Sequence, residues 1–77
     1  MIKLTLNNST HLDEIAFIVN RQPYVVNKAQ PINLELERVD FIGVEAKECV
    51  GDFIAFQLNT NVNFNCVQLG NKLKLAF

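Results

Sequence analysis

Apolar and polar residues alternate with period two along most of the chain, the spacing of strands that bury one face. The signal is densest over residues 52–77, DFIAFQLNTNVNFNCVQLGNKLKLAF. Three runs there put Ile54, Phe56 and Leu58, then Val62, Phe64 and Cys66, then Leu73, Leu75 and Phe77 on a common side. Gly70-Asn71 is a two-residue hairpin signal, since both residues tolerate positive φ. Such a loop pairs Leu69 with Lys72, so that Gln68 faces Leu73, Cys66 faces Leu75 and Phe64 faces Phe77. A three-residue loop, Asn59-Thr60-Asn61, pairs Leu58 with Val62, Phe56 with Phe64 and Ile54 with Cys66. Slipping the register by one residue would expose the whole apolar set. The expectation is a three-stranded antiparallel meander with one apolar face. Its wet face carries Gln57, Asn63, Asn65, Lys72 and Lys74, with Val67 and Leu69 as apolar exceptions.

Earlier in the chain, Ile2, Leu4 and Leu6 alternate with Lys3, Thr5 and Asn7 as a short strand, and residues 7–10 read as a turn. Residues 11–22 admit two readings. As a strand, Ile15, Phe17 and Val19 point one way and Ala16 and Ile18 the other, with a turn near Asn20 leading into a second strand at Tyr24. As a helix, Thr10 caps it, Leu12, Ile15, Ala16 and Val19 form its stripe, and Pro23 stops it. The β-branched and aromatic content of residues 15–19 favours strand. Ile32, Leu34 and Leu36 alternate with Asn33, Glu35 and Glu37 as a further strand. Residues 41–47 continue extended with Ile42, Val44 and Ala46 inside, and Gly51 is expected to supply an unusual backbone angle at the turn after them. Together these predict one all-β domain over residues 1–77, an antiparallel sandwich or barrel of seven or eight short strands. The alternative is an α+β roll with one helix at about residues 11–21 packed on an antiparallel sheet.

The run IAFIVNRQPYVVNKAQPINLEL resembles the small β-sandwich PEGA modules of bacterial envelope proteins. In that family a strand ends in a Val-Asn-Gly turn and a later strand carries alternating leucines or isoleucines. Val19-Asn20 and Ile32-Asn33-Leu34-Glu35-Leu36 carry the likeness, over residues 15 to about 46. Arg21 stands where the family has glycine, and the family's later Gly-Tyr signature is missing. The resemblance implies an extracytoplasmic accessory module.

Composition narrows the function. At 77 residues the chain buries roughly 60–65% of its unfolded surface, enough for one modest core. A net charge of −1 supplies no general attraction to nucleic acid or anionic lipid. Acidic residues gather at Glu35, Glu37, Asp40, Glu45, Glu48 and Asp52, against Arg38 and Lys47. The N-terminal residues lack the long apolar stretch of a signal peptide, and no run is long enough for a membrane span, so the chain as written is expected in the cytoplasm. Cys49 and Cys66 form no metal-ligand spacing and are expected as reduced thiols, Cys66 inside.

No catalytic, cofactor-binding or metal-binding set is expected. Ser9, His11 and Asp13 lie too close along an extended segment to form a nucleophilic triad. His11 reads as an exposed turn residue, and Glu35 and Glu37 as solvated neighbours on one strand. Tyr24, Phe41 and Phe53 are candidate outward aromatics, as a single-strand binder of OB type would use, but the chain has only 7 basic residues. The function expected is a non-enzymatic module that binds another protein through Phe41, Phe53, Val67 and Leu69, apolar on faces that ought to be wet. Its general style suits an accessory protein of a phage or mobile element. The alternatives are an OB-like binder of single-stranded nucleic acid and a self-associating structural subunit, whose open sheet edges would pair with a second copy.

Overall fold

The computed structural model describes residues 1–55 and 57–77. Its strands are β1 (Ile2–Asn8), β2 (Glu14–Val19), β3 (Gln22–Asn27), β4 (Ile32–Leu36), β5 (Ile42–Glu45), β6 (Asp52–Ile54), β7 (Val62–Leu69) and β8 (Lys72–Ala76). The stretch that admits helix or strand is strand, because β2 buries Ile15, Phe17 and Val19, each 2% exposed or less. It turns into β3 at Asn20-Arg21, where φ is 49° and 71°. That is the mirror-image turn whose twist matches the strands it joins.

Two four-stranded sheets result, ordered β4-β1-β7-β8 and β3-β2-β5-β6. No helix occurs among the described residues. The molecule is therefore a small all-β sandwich, as the periodicity predicts. Its core sets Leu4, Leu6, Phe64 and Leu73 of the first sheet against Phe17, Val26, Ile42 and Val44 of the second.

The C-terminal hairpin has the expected register, with Leu69 opposite Lys72, Gln68 opposite Leu73 and Cys66 opposite Leu75. Gly70 takes φ of 64°, while Asn71 does not need positive φ. Phe77, expected inside, lies beyond β8 and is 75% exposed, with its ring edge resting on Phe64 at 5.3 Å between centroids.

The first leg of the expected meander is absent. Residues 52–54 join the other sheet, with Ile54 opposite Ile42 rather than Cys66. Leu58 bridges to Val39 rather than Val62. The expected pairing of Phe56 with Phe64 lies outside the described residues. The second neighbour of β7 is β1, and the two run parallel, Leu4 beside Val62 and Leu6 beside Phe64. Alternation fixes which face of a strand is buried, not which strand lies next to it. Pairing with β1 satisfies the same apolar phase, and it frees β6 to extend the second sheet.

Two polar devices hold the sheets in place. At one end Asn8 and Thr10 are buried, 7% and 3% exposed. The Asn8 carboxamide donates to the Leu12 and Val26 carbonyls, both at 3.2 Å, and accepts from the Thr10 N–H at 3.0 Å and hydroxyl at 2.6 Å. All of its hydrogen-bonding capacity is used, and one side chain ties β1 to β3.

Asp52 does the equivalent along the seam between the sheets. One carboxylate oxygen accepts from its neighbour Phe53 N–H at 2.9 Å, on the rim of β6. The other accepts from Leu75 N–H at 3.0 Å, on the rim of β8. Just before it, Val50 exchanges backbone hydrogen bonds with Asn71 and Leu73. Gly51 acts through its size, by lying close against Val44 of β5, and not through an unusual angle, which falls instead on Glu48 at φ 64°. A Cβ on Gly51 would collide with the Val44 carbonyl oxygen.

Candidate functional site: an apolar outer sheet face

The two outer faces of the sandwich differ in kind. On the first sheet the strands alternate, and apart from Val67 and Leu69 on β7 the outward positions are mostly polar, among them Lys3, Thr5, Asn33, Asn63, Lys72 and Lys74. These residues bond sideways. The Thr5 hydroxyl donates to Asn33 Oδ1 at 2.9 Å, and the Ser9 hydroxyl to Asn65 Oδ1 at 2.6 Å. Val67 is half-buried here opposite Lys74, and Leu69 is exposed beside the hairpin turn.

The second sheet does not alternate. β2 is apolar on both sides, and its outward residues are Ala16 and Ile18. In register with Ile18 lie Gly43 and then Phe53, and in register with Ala16 lies Val25. Phe53 is 66% exposed and Val25 58%. Phe41, just ahead of β5, lays its ring over Gly43 and stacks on Phe53 with centroids 5.7 Å apart and planes 16° apart. Gly43 leaves room for that stack, since a Cβ there would sit a tight 3.1 Å from Phe41 Cε1. The face forms an open groove of about 860 Å³, edged by Glu14, Glu45, Lys47 and Asp52.

Phe41 and Phe53 thus form one site, while Val67 and Leu69 lie on the opposite sheet and do not join it. Tyr24 is not outward. It is in register with Phe17 and packs at the margin of the core. Ile18, Ala16, Val25 and Gly43 belong to the site without having been singled out in the sequence. The signal was present, since a strand reading that buries Ile15, Phe17 and Val19 leaves Ala16 and Ile18 outside.

The remaining chemistry lies elsewhere. Both cysteines are free thiols, Cys49 half-buried and Cys66 buried. Burial pushes the Cys66 thiol up to about 11, with smaller upward contributions from the charges of Asp52 and Cys49 and an opposing hydrogen bond to the Lys74 backbone. His11 is exposed, and its N–H donates to Gln68 Oε1 at 3.0 Å. Among the described residues no cluster of three or more His, Cys, Asp or Glu side chains is placed to hold a metal ion. No helix among them is long and apolar enough to cross a membrane.

Comparison of the chain with protein-family models, with curated proteins and with solved structures finds no match in any of the three. None of the three supports or refutes the likeness of residues 15–46 to PEGA modules. Val19-Asn20 ends β2, and the alternating leucines form β4 in the other sheet.

Proposed function

We propose that the protein is a non-enzymatic binding module that docks another protein on the outer face of β3-β2-β5-β6. The observation that carries this reading is the Phe41–Phe53 stack, with Phe53 66% exposed, on a sheet face that also presents Ile18, Ala16 and Val25. Aromatic anchors on a rigid sheet are the kind of group that dominates binding energy at protein interfaces. The carboxylates of Glu14 and Glu45 at the rim favour a partner whose apolar anchor is flanked by lysine or arginine. They also disfavour a nucleic-acid strand, whose phosphates would lie beside them. The two free thiols suit a reducing compartment, and a cytoplasmic setting is part of the same proposal.

The test is a displayed peptide library selected against the folded protein. Selected peptides should carry apolar and basic residues together and bind Phe53→Asp at least tenfold more weakly. Binding to Leu69→Lys, on the far sheet, should be unchanged. Peptides that bind Phe53→Asp as well as they bind the parent would remove this face from consideration. Salt-sensitive micromolar binding of single-stranded oligonucleotides would replace the proposal with a nucleic-acid function.

A further inference from the structure

Among the described residues, two of the four sheet edges are covered, and a third, β3, is interrupted by a proline while keeping the Val25 amide outward. On β3, the hairpin register turns Pro23, Val25 and Asn27 outward, and Pro23 has no N–H to offer. On β6 and β8, the Asp52 carboxylate occupies the Phe53 and Leu75 amides, and Val50 occupies that of Leu73. The fourth edge, β4, is open.

The ladder shows which of its groups are free. Lys3 N–H bonds Asn61 Oδ1 and Ser9 N–H bonds the Cys66 carbonyl, both toward β7. Odd-numbered residues of β1 therefore face β7, and Ile2, Leu4 and Leu6 face β4, opposite Leu36, Leu34 and Ile32. This leaves the N–H and C=O of Asn33 and Glu35 pointing outward, without a backbone partner among the described residues. Beneath that edge Ile32, Leu34 and Leu36 form an apolar row facing the core side, each half-buried.

We infer that β4 pairs with β4 of a second copy, antiparallel, joining the two first sheets into one continuous sheet. The edge is self-complementary in one register. With Leu34 on the two-fold axis, Asn33 of each copy faces Glu35 of the other, and each such pair exchanges two backbone hydrogen bonds. Leu34 then meets its own counterpart, and Ile32 meets Leu36, so the apolar row runs across the joint. Each Glu35 carboxylate lies between Lys3 of its own chain and Asn33 of the other copy. The neighbouring register, centred on Glu35, sets two carboxylates directly opposite each other and is disfavoured. Pairing through β4 leaves the proposed docking face free, since that face lies on the other sheet.

Sedimentation over about a hundredfold concentration range is the first measurement, and it should show a reversible monomer–dimer equilibrium. Glu35→Pro deletes an outward amide and leaves every bond to β1 in place. It should keep the native spectrum and weaken the dimer at least tenfold, whereas Phe53→Asp should not weaken it. The register is tested in a Cys49→Ser background. Two antiparallel residues on the axis bring their Cα atoms to about 4.5 Å, within reach of a disulfide. Leu34→Cys should therefore cross-link on mild oxidation, and Glu35→Cys should not. A monomer at every concentration would overturn the inference. So would a dimer that a folded Glu35→Pro variant leaves unchanged, or cross-linking at position 35 in place of 34.

Discussion

Cys66 shows how one side chain records its surroundings. It is fully buried between the sheets, and its thiol is pushed to about 11 from an ordinary value of 9.0, chiefly by loss of water. The folded-state value lies above the unfolded one, so the fold favours the neutral thiol. That contribution is complete below pH 9 and is lost as the pH rises from 9 to about 11. A shift of this size corresponds to about 2–3 kcal/mol over the whole window. Urea unfolding of the parent and of Cys66→Ala should therefore show stability curves that converge over that range, while their difference stays constant below it. A constant difference up to pH 11 would mean that the thiolate is tolerated inside. Alkylation at pH 8 should reach Cys49, which is half-buried, and leave Cys66 untouched until the protein unfolds.

At the scale of elements, the seam between β6 and β8 depends on Asp52. Its carboxylate satisfies one amide on each sheet, so Asp52→Ala bares two edge amides at once. The side chain is half-exposed, and water takes up part of the loss, which limits the cost to about 1–2 kcal/mol. The larger effect expected is faster hydrogen exchange at Phe53 and Leu75, together with aggregation through the uncovered edges. Unchanged exchange at both amides would show that the carboxylate is incidental. None of this was legible in the sequence, where Asp52 reads as one acidic residue in a charged stretch. The β7–β8 hairpin was legible, because a Gly-Asn loop ties register to local chemistry. So was the buried side of β2, because Ile15, Phe17 and Val19 keep period two. The outward aromatics were visible as residues out of phase, but their stacking depends on Gly43 and on the pairing of β5 with β6.

For the molecule as a whole, the decisive contact is the parallel pair of β1 with β7, which joins residues near opposite ends of the chain. Period-two patterning is silent about such a pair, since it carries no turn and no local loop. The expected meander failed at this point, although Leu58, Phe64, Cys66 and Leu73 of its runs are buried as expected; Phe77, at the chain end, is exposed. The pair also makes β1 an interior strand of the first sheet, with β4 on its other side. Stability should therefore depend more steeply on β1 than on its outer neighbour, and one cross-strand pair tests this directly. Leu4 and Leu34 are in register on the same face, Leu4 fully buried and Leu34 half-buried. Leu4→Ala removes packing on both sides and leaves a closed cavity, costing about 2–5 kcal/mol. Leu34→Ala, at an edge that water reaches, should cost less than half as much when measured at concentrations too low for self-association. Folding that waits on so distant a pairing should take milliseconds to seconds, and Leu4→Ala should slow it if β1 docks before the barrier. Equal losses for the two leucines would mean that β4 is covered in the isolated chain, and that β1 is not the strand on which the sheet is built.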